Sequence, residues 1–383
     1  MPLTNPSKPR LLILVNRDWF FLSHLKDRAL AAQKAGYHVI VVSPDSGLVA
    51  EIKALGLEHH RIDMDRHGVH PIRELHILSQ LKKLYQTLRP ELCWHVGLKA
   101  IVLGTLAAQW ARRCGWIINA PVGMGFVYAS SSRKARLLRP WLQYVLKYLL
   151  NPNKSRVVFE NPDDLNELAQ RKIIRKNDAV LIRGAGVNLE EFRAVPEPQG
   201  IPVILFAARL IREKGVEVFC EAARILKNQG ISARFWIAGG IDQDSSSAIS
   251  EEQLQQWVNE IKIEWLGNRK DMPDVMAGCH IFCLPSWYRE GLPKVLLEAM
   301  ASQRVIITTD TVGCRESVID GKNGLLIPPY NAEALAERIR YLIEHPELRQ
   351  SMAKYGRTKA EQEFSTERVC NETLDLFDGL KNG

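Results

Sequence analysis

Two short stretches carry residue types suited to holding an anion next to a polyol. The first is REGLPKVLLEAMA, Arg289 to Ala301. Pro293 fits the first turn of a helix, where its missing N–H costs nothing. Gly291 before it allows backbone to approach a ligand closely, and the first-turn N–H groups of such a helix suit a diphosphate. Glu298 sits among Val295, Leu296, Leu297, Ala299 and Met300. A helix that is apolar nearly all round is buried, and a buried carboxylate needs a partner. Either an internal arginine or a pair of sugar hydroxyls would serve. The second stretch is AARLIREKGV, Ala207 to Val216. The run VILFA delivers Arg209 at a strand end, Lys214 follows on the turn, and Gly215 opens the next helix. Two cations there suit a diphosphate leaving group; the alternative is solvated surface charge.

A third stretch, NRDWFFLSHL, follows the first apolar run. It contains no glycine, so it is not a GxGxxG dinucleotide loop, which argues against a nicotinamide enzyme. Asp18, His24 and the aromatics between them either meet a substrate or pack the following helix, with Ser23 as its cap. A fourth, Ser130 to Arg156, mixes Leu137, Trp141, Leu142, Val145 and Leu149 with Arg133, Lys134, Arg136, Arg139 and Lys147. This reads as a helix on an anionic membrane surface or as a core helix with a basic solvent face. Cys279 and Cys283 flank His280, but no further ligands stand nearby, so no metal site is expected. The seven cysteines, an odd number without a CxxC, read as buried free thiols.

These residues need a scaffold, and the chain alternates short β-rich runs with longer helical ones. Strands are expected at 11–15, 38–42, 91–95, 116–120 and 156–159. After the polar, proline-bearing segment 188–202 they resume at 203–207, 235–238, 263–266, 281–284 and 305–308. Helices are expected at 25–35, 72–88, 98–113, 216–227 and 292–301, with a charged helical C-terminus. Strand–helix alternation implies parallel sheets covered on both faces. Two such units joined by a linker suggest a cleft, with ligands beyond the carboxyl ends of the strands.

Length and charge agree with two units. A chain of 383 residues exceeds what one core usually serves. Residues 1–195 carry 29 Lys+Arg against 16 Asp+Glu, and the remainder 22 against 27. From Leu92 to Phe159 there are ten basic residues and no acid, a surface that attracts anions. A nucleic-acid-binding protein would share the basic half but leaves the acidic half unexplained. The opening MPLTNPSKPRLLILVN has an apolar run of five residues, which suits a buried strand and not a signal peptide. No run of ~18 uncharged apolar residues occurs, so no membrane span is expected.

The two glutamates of EGLPKVLLE, Glu290 and Glu298, with ARLIREKG before and CRESVIDGKNGLLIPP after, resemble glycosyltransferase family 4, of the GT-B fold. FFLSHLKDRALAAQKAGYHVIVVSP and GAGVNLEEF look like the branch that builds bacterial capsule, O-antigen and lipid-linked oligosaccharides. The resemblance implies two Rossmann-like α/β domains facing across a cleft: an acceptor domain 1–187, a linker 188–202, a nucleotide-sugar domain 203–364 and a terminal helix 365–383 crossing back. Arg209 and Lys214 would hold the donor diphosphate. Glu298 would bind ribose hydroxyls, and Glu290 would contact the donor sugar and stabilise positive charge at its anomeric carbon. Gly291 and Leu292 would meet phosphate or sugar through backbone. Asn268 and Arg269, in the turn 267–270, would flank the base, and Gly186 would line the cleft. Asp18, His24, His95, Lys99 and Gly123 would face the acceptor. Many relatives carry a histidine where this chain has Val122. The implied reaction is retaining transfer of a hexose or N-acetylhexosamine from a UDP-sugar to a lipid-linked glycan. It would run at the cytoplasmic face of the membrane, without a metal cofactor and without nucleic acid. A GT-B epimerase or phosphorylase is the alternative within the fold; a phosphorylase would need a pyridoxal-binding lysine, for which there is no case.

Overall fold

The computed structural model describes residues 8–64, 70–122, 145–242 and 245–381. The chain divides into two units, Met1–Ala185 with Val369–Gly383, and Gly186–Arg368. Each is built on one parallel sheet.

In the first unit the strands are β1 (Arg10–Val15), β2 (His38–Ser43), β3 (Glu58–Arg61), β4 (Leu92–Val96), β5 (Trp116–Ala120), β6 (Ser155–Phe159) and β7 (Ala179–Leu181). Their order is β3-β2-β1-β4-β5-β6-β7, all parallel. The inner strands are apolar on both faces because helices cover both, as parallel sheets require. On one face Leu12, Leu14, Ile40 and Val42 pack against the helices Pro71–Leu88 and Leu98–Ala111. On the other, Leu11, Ile13, Trp94 and Ile118 meet the helix Lys26–Lys34 and the last helix, Thr366–Lys381. That last helix begins in the second unit and buries Val369, Phe377 and Leu380 in the first. Phe377 meets Trp94 edge-on at 5.8 Å.

The second unit has β8 (Val203–Ala207), β9 (Arg234–Ala238), β10 (Glu264–Gly267), β11 (Ile281–Leu284), β12 (Val305–Thr309) and β13 (Gly324–Ile327). Their order is β10-β9-β8-β11-β12-β13, again parallel throughout. Among the described residues no helix is long and apolar enough to cross a membrane.

Three expectations change. The segment 188–202 is not a free linker but a strap fastened to the second unit. Arg304, fully buried, donates to the carbonyls of Val195 at 2.9 Å and Pro196 at 3.3 Å, as well as to Met276 and Ala277 at 2.9 Å. Arg349 grips Glu197 through two bonds of 2.9 and 2.8 Å. His280 Nδ1 accepts from the Val203 N–H at 3.0 Å, which leaves Nε2–H to donate to the Pro198 carbonyl at 3.0 Å. Ser23 does not cap the first helix. It lies inside a π-helical turn, Phe21–Leu25, that continues directly into Lys26–Lys34. Pro293 is the residue before the helix Lys294–Ala301, with extended backbone (ψ 115°), not a residue of its first turn.

Candidate active site at the strand ends of the second sheet

Glycines bring the reactive side chains of the second unit together. Gly239, with φ +146°, passes so close to β8 that a Cβ would lie 1.9 Å from the Ala208 carbonyl oxygen. The loops after β8 and β9 therefore meet, and the Leu210 N–H donates to the Gly240 carbonyl at 2.9 Å. Arg209 lies between these contacts and pairs with Asp242. Gly215, with φ +80°, sits where a Cβ would come within 2.1 Å of the Pro285 carbonyl oxygen. The loop after β8 is thus pressed against the loop after β11. The N–H groups of Trp287 and Tyr288 donate to the Glu213 carbonyl at 3.0 and 3.2 Å.

This docking sets Lys214 against Glu290. Lys214 Nζ lies 2.5 Å from Glu290 Oε2, with each side chain 13% exposed. Glu290 Oε1 is 2.9 Å from Ser286 Oγ. The Ser286 hydroxyl also reaches the Glu213 carbonyl at 3.1 Å, and its one hydrogen serves one acceptor at a time. Thr309, at the end of β12, donates to the Ser286 carbonyl. Gly313 closes the far side, where a Cβ would fall 2.6 Å from the carbonyl oxygens of Glu290 and Gly291. Sequence reasoning missed Ser286 and Asp242. The signal for Ser286 was its place one turn before Glu290, at the end of the apolar run IFCLP.

Glu298 lies in the helix Lys294–Ala301. Its carboxylate makes no hydrogen bond or ion pair among the described residues, so the internal arginine that its apolar surroundings allowed is absent there. Desolvation pushes its carboxyl up to about 7; Lys294 pulls it down and Glu191 pushes it further up. A partly accessible carboxylate without a protein partner suits a pair of ligand hydroxyls. Gly291 and Leu292 are buried in the loop that enters this helix. Asn268 packs near Gly240, whose Cβ position is 3.7 Å from Asn268 Cβ. Arg269 is exposed and forms a fork with Asp271. Gly186 does not open onto donor space. At φ +77° its Cβ position is 2.9 Å from Thr366 Cα, so its close approach is taken up by the returning chain.

Four of the five candidates in the first unit lie among the described residues, each in its own setting. Asp18 is fully buried and accepts from the N–H groups of Trp19 at 2.8 Å, Ser46 at 2.7 Å and Leu48 at 3.3 Å, and from the Ser46 hydroxyl. Burial alone would raise its pKa, but these bonds hold it below the usual value. Asp18 bolts the loop after β1 to the loop after β2 and does not face an acceptor. His95 is fully buried as well. Its ring lies 3.1 Å from the Tyr85 hydroxyl and 3.0 Å from Asn119 Oδ1. Burial lowers its pKa to about 4, so it is a neutral core histidine beyond an acceptor's reach. Lys99 follows the end of β4 and pairs with Glu74 at 2.6 Å. His24 stacks on Phe20 at 4.3 Å and, with Arg28, Trp94 and Glu160, lines a shallow cavity at the ends of β4 to β6. Gly123 and residues 130–144 of the basic segment lie outside the described residues.

With this geometry in hand, the likeness to known proteins is informative. The family model for glycosyl transferases group 1 matches residues 187–359, and that for glycosyl transferase 4-like proteins matches residues 10–161. The chain is 28% identical over 353 residues to N,N'-diacetylbacillosaminyl-diphospho-undecaprenol alpha-1,3-N-acetylgalactosaminyltransferase of Campylobacter jejuni, covering 89% of this chain and 90% of that one. A glycosyltransferase from Rickettsia africae has the same fold, with a TM-score of 0.76 at 18% identity, covering 97% of this chain and 98% of that one. HepE of Anabaena, solved with UDP and glucose, superposes with a TM-score of 0.77 at 16% identity, covering 96% and 99%. The two matched segments correspond to the two parallel-sheet units, and the chain belongs to the family 4 glycosyltransferases of the GT-B fold.

Proposed function

We propose that this glycosyltransferase moves a hexose or N-acetylhexosamine from a UDP-sugar to a lipid-linked glycan in bacterial surface-polysaccharide synthesis, with retention of anomeric configuration. The observation that carries the reading is the Lys214–Glu290 pair, in the same unit as a Glu298 carboxylate that no described residue engages. In this reading the ribose hydroxyls donate to Glu298, while Arg209 and Lys214 neutralise the diphosphate. As the anomeric C–O bond to phosphate breaks, the acceptor oxygen bonds to the same face of that carbon. The departing phosphate oxygen takes the acceptor's proton. Positive charge develops on the sugar and negative charge on the phosphate, so Glu290 and the two cations act where charge appears in the transition state. Their charge does the work a divalent ion would do, and no metal is invoked.

The relative from Campylobacter jejuni supports a lipid-linked acceptor by the activity in its name, and HepE supports UDP by its bound ligand. The acid-free stretch from Leu92 to Phe159 supports docking of the first unit on anionic lipid. Thermal shift with UDP, GDP and ADP tests the donor. A ligand at 100 times its Kd stabilises the native state by about 2.7 kcal/mol, so UDP should raise Tm above the other two. Equal, negligible shifts with all three would remove the reading. Flotation with anionic liposomes at low salt tests the surface; a wholly soluble fraction would count against it.

A further inference from the structure

The loop after β13 holds a bulky side chain in a backbone conformation that favours glycine. Tyr330 has φ +61°. The other described non-glycine residues with positive φ are arginines, lysines and one glutamine, so Tyr330 is the one aromatic among them. The left-handed region is unfavourable for an L-residue with a bulky side chain. Core packing does not compensate, because the Tyr330 side chain is 65% exposed. Its ring instead lies against Trp287, with centroids 4.9 Å apart and planes at 33°. Strained residues of this kind persist where the surroundings over-determine them, and they cluster at functional sites.

The place of the pair gives it a meaning. Trp287 stands three residues before Glu290 on the same loop, and its N–H is fixed on the carbonyl of Glu213, the neighbour of Lys214. The aromatic pair thus stands on the loop that carries Glu290 and next to Glu213, the neighbour of Lys214, within one unit. The C–H bonds on one face of a pyranose ring make an apolar patch, while its hydroxyls point outward. An aromatic face beside charged hydrogen-bonding groups matches both halves of that ring.

We propose that Trp287 and Tyr330 form a stacking platform for a pyranose ring beside Glu290, and that the ring is the donor's hexose. This rests on the reading of the site as a sugar-nucleotide site. Tyr330→Gly removes the ring while giving φ +61° the residue that tolerates it, so the fold should be kept. Trp287→Leu removes the other ring. Calorimetric titration of the wild type and both variants with UDP, UDP-glucose and UDP-N-acetylglucosamine separates the contributions. The expected result is unchanged UDP affinity, with the additional affinity for the UDP-sugars reduced about tenfold, the effect of roughly 1.4 kcal/mol. Saturation-transfer NMR with methyl N-acetyl-α-glucosaminide, in the presence of UDP, covers the other source. Loss of that signal in the variants, with donor affinity unchanged, would support the platform but give it to the acceptor's ring. Unchanged UDP-sugar affinity together with unchanged NMR contact would overturn it. Failure of the wild type to bind UDP at all would overturn the underlying site assignment and the platform with it.

Discussion

Lys214 Nζ and Glu290 Oε2 lie 2.5 Å apart although 76 residues separate them in the chain. It is not a contact within one helix or between paired strands: Lys214 closes the short 3-10 turn Arg212–Lys214, and Glu290 lies in the loop after β11. The contact is made by Gly215, which lets the loop after β8 touch the Pro285 carbonyl, and by Ser286, which turns the Glu290 carboxylate. The pair therefore reports on the joining of two strand ends, where a doubly wound sheet places its ligands.

Replacing Lys214 by alanine should lower kcat by about 10² to 10³, the usual effect of removing one electrostatic contact to a leaving group. UDP affinity should fall as well, and Tm should fall too, because the variant leaves the largely buried Glu290 carboxylate without its cation. Initial rates with saturating donor check this. A Ser286→Ala variant should show a smaller loss, since Glu290 keeps Lys214.

Glu298 gives a pH signature. Its carboxyl is pushed up to about 7 by desolvation, so the free protein holds its proton to higher pH than the unfolded chain. The associated stability is present in acid and is lost as pH rises through about 7. Hydrogen bonds from ribose hydroxyls need the carboxylate, so UDP should bind more tightly at pH 8 than at pH 6. Calorimetry at the two pH values checks the direction, and Glu298→Gln should remove the dependence while lowering affinity.

His95 predicts the opposite limb. Its pKa is lowered to about 4 by burial, so the folded state excludes a proton that the unfolded chain accepts near pH 6.5. Stability is complete above about 6.5 and is lost as pH falls toward 4. A shift of that size corresponds to about 3 kcal/mol. Urea midpoints measured from pH 7 to pH 4 should fall less steeply in a His95→Gln variant that remains folded. The Michaelis constant for acceptor should be unchanged at pH 7.5, because His95 touches none.

The inner strands of both sheets and the matched motifs were legible because apolar runs and close-packed charge patterns are local signals. The strands that escaped notice, β3, β7 and β13, are all sheet edges. The sequence EHHR of β3 has no apolar alternation to read, because an edge strand buries little. At the candidate site, Lys214 was offered by its place after a strand end, with solvated surface charge as the alternative, and Glu290 entered through the family resemblance of EGLPKVLLE. Asp18 and His95, offered as acceptor-side candidates, are buried and bonded to Ser46 and to Tyr85 and Asn119, partners that spacing in the sequence does not show. Arg28 could not have been found by spacing. Its burial over Trp94, 5.3 Å from the ring centroid, depends on the sheet bringing them together.

The strap carries a stability prediction. Arg304 donates to carbonyls on either side of it, and those acceptors lose their donors when the guanidinium is removed. Each buried polar group left without a partner costs roughly 1–3 kcal/mol. Arg304→Met should therefore lower stability by at least about 3 kcal/mol, read as a fall in the urea midpoint. Protease cleavage within 195–200 should become faster at the same time.

The most direct test of the donor site is the electron density of crystals soaked in UDP. The reading predicts the diphosphate against Lys214 and Arg209 and the ribose hydroxyls on the Glu298 carboxylate, with Lys214 drawn off Glu290. Nucleotide bound elsewhere, with Lys214 still seated on Glu290 and Glu298 untouched, would contradict it.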